Sequence, residues 1–222
     1  MAPDMLLALL WKALVQTVHM VTVAGLIGTL IGLPIGVFLA NSGKGELFAA
    51  PMTNRIVGLI VNATRSTPFI ILVVAIIPFT RLIAGTSIGT SAAIVPLTLA
   101  TIPFVARLIE AAIREVDRGL IEAARAMGAS RWQIVTKVLI AEARPGITLA
   151  LTLTLVSLIG YSAMVGAVGG GGLGDLGIRY GYQRFMPEVM AAVVIVLILL
   201  VQAVQSAGDA LARRFDKRSR QS

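Results

Sequence analysis

Leu14-Val-Gln-Thr-Val-His-Met-Val-Thr-Val-Ala-Gly-Leu-Ile-Gly-Thr-Leu-Ile-Gly-Leu-Pro-Ile-Gly-Val-Phe-Leu-Ala40 contains no formally charged residue. About 20 largely apolar residues suffice to cross about 30 Å of hydrocarbon as a helix, and in lipid a helix satisfies its own backbone. The run therefore predicts a membrane span, and four further stretches follow it. They lie at Ile56–Phe79, Ser91–Ile109, Ile147–Val168 and Pro187–Ala207. The second is interrupted by Asn62, Arg65 and Pro68. The expected fold is all-α, an integral membrane protein of five transmembrane helices.

Composition agrees. Of 222 residues, 57% are hydrophobic and only 14% charged, where soluble domains carry roughly 25% charged residues. There is no cysteine, which excludes a disulfide framework, thiolate metal sites and cysteine catalysis. The formal charge of +8 would suggest nucleic acid on a soluble domain. In a membrane chain it reports topology, because Lys and Arg collect on the cytoplasmic side.

Orientation follows from where the cations fall. With the C-terminus inside, the cytoplasmic segments hold Lys44 and Arg55, then seven cations from Arg107 to Arg144, then Arg213, Arg214, Lys217, Arg218 and Arg220. The outer segments hold only Lys12, Arg81, Arg179 and Arg184. That asymmetry predicts an outside N-terminus and a cytoplasmic C-terminus. Residues 1–13 are read as an outer interfacial segment with Trp11 and Lys12 at headgroup level, since no basic n-region marks a signal peptide. Residues 14–209 form the transmembrane domain, and 210–222 a basic cytoplasmic tail suited to anionic lipid.

About 35 residues separate the third and fourth spans, and they are amphipathic. Two helices with a turn at Gly128 fit them, with Ser130 and Gln133 spaced as a capping box. Ala123 and Ala124 present small side chains that allow another surface to approach beside Glu122, with Met127 and Trp132 as apolar anchors. An amphipathic helix on the membrane surface is the other reading.

Glu122-Ala123-Ala124, three residues, then Gly128 and an apolar run resembles the EAA loop of permease subunits in bacterial ABC importers. The chain departs from that pattern at Ala141, where the family carries proline; Pro145 follows four residues later. Gly160-Tyr161-Ser162-Ala163-Met164-Val165-Gly166, the run Gly169–Gly177 and Arg179-Tyr180-Gly181-Tyr182-Gln183 are similar to methionine importer permeases. Arg65-Ser66-Thr67-Pro68-Phe69 resembles an element of amino-acid permeases.

The resemblance implies a type I importer permease fold, with a coupling loop at about 110–144 that docks on an ATPase subunit through Glu122, Ala123, Ala124, Met127 and Gly128. It implies a non-catalytic homodimeric subunit in the bacterial inner membrane, importing methionine, with ATP and magnesium held by two partner ATPase chains. An extracytoplasmic methionine-binding lipoprotein would deliver substrate. No cofactor, metal or nucleic acid is expected on this chain. Another amino acid or small organic solute is the alternative cargo; a passive channel and an intramembrane enzyme are the alternatives from other classes.

Tyr161, Ser162, Met164 and Val165 are the candidates for the path and gate, and periodicity alone does not say which of them face it. Arg65, the one formal charge inside a span, is either a gate or helix-pairing residue or a cation snorkelling to the inner interface. Gly25, Gly28, Gly32 and Gly36 form a small-residue stripe suited to close helix packing, and Pro34 predicts a bend. His19 has no second ligand to complete a metal site. Gly172-x-Gly174-x-x-Gly177 fits the literal dinucleotide fingerprint but lacks the preceding strand that the motif needs. Lys44 is no phosphate-binding lysine, because Phe38 and Gly45 stand where the P-loop requires glycine and Ser or Thr.

Overall fold

In the computed structural model, residues 3–215 are described, and all regular structure among them is helical. The elements are α1 (Pro3–Asn41), α2 (Pro51–Ser66), α3 (Phe69–Ala75), α4 (Ile77–Ala84), α5 (Thr90–Arg114), α6 (Arg118–Ala126) and α7 (Arg131–Gln133). After a π-helical stretch (Ile134–Leu139) come α8 (Ile140–Glu142), α9 (Arg144–Ala167), α10 (Gly172–Leu176), a second π-helical stretch (Gly177–Tyr182) and α11 (Pro187–Phe215). Helices α1, α5, α9 and α11 are each long and apolar enough to span a membrane, and the bent pair α2 and α3 makes a fifth only when counted as one broken span. The tail cations Lys217, Arg218 and Arg220 lie outside the described residues.

Three boundaries differ from the sequence reading. The stretch Ile56–Phe79 is not one continuous helix; it ends at Ser66 and restarts at Phe69. Pro68 is the cause, since it lacks an N–H and pushes the residue before it out of the helical region. The N-terminal residues are continuous with the first span, α1 running unbroken from Pro3 to Asn41. Leu6, Leu9, Leu10 and Ala13 recur at helical spacing and pack with Leu173, Leu176, Val189 and Val193. Trp11, on the other side, stays 68% exposed. Finally, the missing proline at Ala141 moves the break instead of removing it: α8 ends at Glu142, and α9 starts immediately before Pro145. Proline is tolerated in a first helical turn, where its absent N–H has no intrahelical partner to lose.

The chain forms two compact units, and the long helices contribute segments to both. One contains, among the described residues, 3–28, 67–101 and 154–205. Its core joins Met20, Ala24, Phe69, Leu97, Leu158 and Val165. Here Gly28 meets Thr101 so closely that a Cβ would collide with its side chain.

The other contains residues 29–66, 102–153 and, among the described residues, 206–215. Its core gathers Val105, Ile109, Ile113, Ala124, Ile134, Val135 and Leu139. The glycine stripe continues here: a Cβ on Gly32 would stand 2.7 Å from the Ile102 carbonyl, and one on Gly36 would stand 2.5 Å from that of Ala106. These contacts are with main chain, which cannot rotate away. Replacing Gly36 with leucine is expected to cost at least the 1–3 kcal/mol typical of overpacking, read as a lowered melting temperature in detergent and reduced membrane yield. Gly160, whose Cβ would meet nothing within 4 Å, is the control position that tolerates alanine.

Candidate functional site

The loop between α5 and α9 lies wholly in the second unit. Asp117 opens α6 by accepting the Gly119 N–H at 2.8 Å. The helix closes at Gly128, whose φ of +79° is the left-handed conformation that suits glycine. The Gly128 N–H donates to the Arg125 carbonyl at 2.9 Å and that of Ala129 to the Ala124 carbonyl at 3.0 Å. Ser130 then caps the next helix by accepting the Gln133 N–H, while the Gln133 side chain accepts the Ser130 N–H at 2.8 Å. The expected turn and capping box are both present.

This geometry separates the EAA residues. Ala124 is buried, 4% exposed, among Ile113, Ile134 and Leu139. Glu122, Ala123, Met127 and Gly128 are exposed. Consecutive helical residues point about 100° apart, so one alanine faces the core and its neighbour faces out. Beside them Met127 is 81% exposed and Trp132 69%. Trp132 leans on Phe48 with ring centroids 5.4 Å apart. A rigid projection therefore carries small and apolar side chains next to one carboxylate.

A buried carboxylate supports its base. Glu110, 6% exposed, accepts from Arg107 at 2.5 Å and pairs with Arg114 at 2.8 Å. The other terminal nitrogen of Arg107 donates to the Gly58 carbonyl at 2.9 Å, tying α5 to α2. Arg107 Nε is buried without a partner. These residues carried no motif; the one signal in the sequence is an acid flanked by arginines at i−3 and i+4.

Arg65 sits exposed in the last turn of α2, just before the Pro68 break. A cation there faces the negative end of the helix dipole. It stands at the end of a helix, not within a continuous span.

In the first unit the four gate candidates separate as well. Ser162 is buried and donates to the Ile159 carbonyl at 2.7 Å, and Val165 is in the core. Tyr161 is half-buried and stacks on Phe69, centroids 4.5 Å apart. Met164 is 48% exposed, the most open of the four. The glycine-rich segment after α9 is largely helical, from Gly172 to Tyr182. It is held by two residues of α1 that the sequence did not single out: Gln16 accepts the Gly172 N–H at 3.0 Å, and Thr17 accepts that of Leu173 at 2.9 Å. Among the described residues no His, Asp or Glu cluster could hold a metal ion.

The pattern of apolar spans with a helical loop between α5 and α9 has known relatives. Residues 32–221 match the family of binding-protein-dependent transport system inner membrane components. The chain belongs to that family. It is accordingly a multi-pass inner-membrane permease subunit with the type I ABC importer permease fold.

Among relatives of this permease, one from Vibrio cholerae named probable D-methionine transport system permease protein MetI is 55% identical over 215 residues, spanning 97% of this chain and 94% of that one. The D-methionine transport system permease protein MetI of Escherichia coli K12 is 54% identical over 158 residues, 71% of this chain and 73% of that one. An inward-facing structure of the MetNI methionine ABC transporter superposes with a TM-score of 0.94 at 50% identity, covering 98% of the permease and all of that chain. An amino acid ABC transporter solved with histidines matches at a TM-score of 0.78 and 22% identity, a likeness of fold.

Proposed function

We propose that this permease forms, as a homodimer, the membrane path of an ATP-driven methionine importer, and that the α6–Gly128 projection is where a partner ATPase subunit seats. The carrying observation is the division of the EAA residues: Ala124 anchors the projection in the core, while Glu122, Ala123 and Met127 stand clear of it. An interface of this kind takes its energy from a few anchored apolar groups, and Met127 and Trp132 are such groups. Methionine as cargo is supported by relatives at 50–55% identity that bear that name. ATP and magnesium belong to the ATPase partners, and an extracytoplasmic binding protein supplies substrate to the outer side.

The N-terminus lies outside and the C-terminus inside, as the distribution of cations favours. Since the chain has no cysteine, single cysteines test this directly. With a membrane-impermeant maleimide applied from outside, Tyr182→Cys should label and Met127→Cys should not; the reverse pattern inverts the topology. For the cargo, radiolabelled methionine uptake by proteoliposomes with ATP inside should be suppressed by unlabelled methionine. Equal suppression by an unrelated amino acid would contradict the assignment.

On the path, Met164 is the working residue, since Ser162 and Val165 are engaged inside the protomer and Tyr161 is stacked on Phe69. An unbranched thioether forms an adaptable apolar constriction. Met164→Ala should loosen the gate and change methionine uptake or unstimulated ATP turnover several-fold. Unchanged values of both would remove Met164 from the path.

A further inference from the structure

A cavity of about 480 Å³ lies in the first unit among α1, the start of α5 and the glycine-rich segment. Its size is within the range of small-molecule sites, and its charge arrangement is specific. Lys12 lines it and has no ion-pair partner among the described residues. Gly89 and Thr90, which begin the 25-residue helix α5, line it too. The first N–H groups of a helix have no intrahelical acceptor, and the dipole there favours an anion. Gly89 is pinned by donating its own N–H to the Gly169 carbonyl at 2.8 Å, which fixes that helix start in place.

Asp175 and Arg179 also line it and pair with each other. The hydrogen bond from Arg179 to Asp175 raises the Arg179 pKa above its ordinary value, so Arg179 stays charged. A carboxylate offers about four lone-pair sites, and Arg179 contacts only the Oδ2 atom. Asp175 therefore keeps an acceptor for a second cation. Gln16 uses its carbonyl oxygen on Gly172 and keeps its amide donors. The cavity lining thus includes an unpaired cation, a helix start and a carboxylate with spare acceptor capacity.

Lys12 stands two residues before the uncharged run that begins at Leu14, where a span starting there would place it at the polar interface of the bilayer. Exposed Trp11, Tyr182 and Phe185 lie nearby in sequence to the lining residues, and aromatic residues favour that depth.

We propose that this cavity binds a small zwitterion, an anionic phosphate or carboxylate at Lys12 and the start of α5 with its attached ammonium at Asp175. Two sources carry that chemistry, the headgroup of phosphatidylethanolamine and a free amino acid. The inference does not depend on what the permease transports, since uptake is a separate readout.

The test uses the assembled transporter. In one arm it is released for native mass spectrometry from nanodiscs of phosphatidylethanolamine, phosphatidylcholine and phosphatidylglycerol in equal parts. In the other it is dialysed to equilibrium against radiolabelled methionine in phosphatidylcholine nanodiscs. One phosphatidylethanolamine retained, or one methionine bound, per permease copy identifies the source. Lys12→Gln should lower that occupancy at least tenfold, Lys12→Arg should preserve it, and Arg81→Gln should leave it unchanged. Preferential retention of phosphatidylglycerol, occupancy indifferent to Lys12→Gln, or no stoichiometric binding in either arm overturns the proposal.

Discussion

Ala123→Glu is expected to abolish ATP-driven uptake and stable association with the ATPase subunits, with membrane insertion and melting temperature near those of the parent chain. The reason is local. Ala123 is exposed beside Met127 and Trp132, so a glutamate adds nothing unfavourable to the isolated permease. In a docked complex the same side chain would be desolvated within an apolar contact, and an unpaired buried charge costs several kcal/mol. Such a cost corresponds to at least a hundredfold loss of affinity. Ala124→Glu is the informative companion. Ala124 is 4% exposed in the core of its unit, so that variant should fail earlier, in folding. Two adjacent alanines of one motif thus separate docking from stability, and co-purification together with thermal melting of both variants checks the distinction. If Ala123→Glu retained its ATPase partners and normal uptake, the projection would not be the docking element.

The second large effect concerns the base of that projection. Glu110→Ala should destabilise the permease by about 3 kcal/mol, the scale found when one member of a buried charge pair is removed. Arg114 is more than half exposed and recovers solvation by water. Arg107 does not. Its Nε is already buried without a partner, and after the substitution its remaining protein acceptor is the Gly58 carbonyl at 2.9 Å. The expected result is a melting temperature lowered by several degrees. Arg107→Met with Glu110→Met together should recover part of the loss, because replacing both charges with apolar groups leaves no orphan. A double variant no more stable than Glu110→Ala would show that the loss does not come from the charge left unpaired on Arg107.

How far the sequence led depends on the range of the interactions concerned. The turn at Gly128 and the cap by Ser130 and Gln133 were legible because their chemistry is complete within a few residues. The apolar spans were legible for the same reason, each being its own hydrogen-bonding unit in lipid. The break at Pro68 was visible as a proline inside an apolar run, yet overall hydropathy ran the span through it to Phe79.

Longer-range features were hidden. The glycine-rich segment after α9 starts its helix where Gln16 and Thr17, 156 residues away, take up the N–H groups of Gly172 and Leu173. Nothing in its own composition announces that. The gate candidates could not be sorted in advance either, since α9 is apolar on all sides; only packing shows Ser162 and Val165 inside and Met164 open. The same holds for the EAA alanines, which look equivalent until the core beneath Ala124 is in place.

The central claim is that the exposed side of α6 is the seat of the ATPase, and one thiol measures it. In this cysteine-free chain, Ala123→Cys gives a single reporter that should react fast with a soluble maleimide in the isolated permease. Full protection on adding the ATPase subunits, with undiminished labelling of a Tyr182→Cys control, is the predicted result. Equal labelling of position 123 in the free permease and in the assembled, transport-active complex would contradict it.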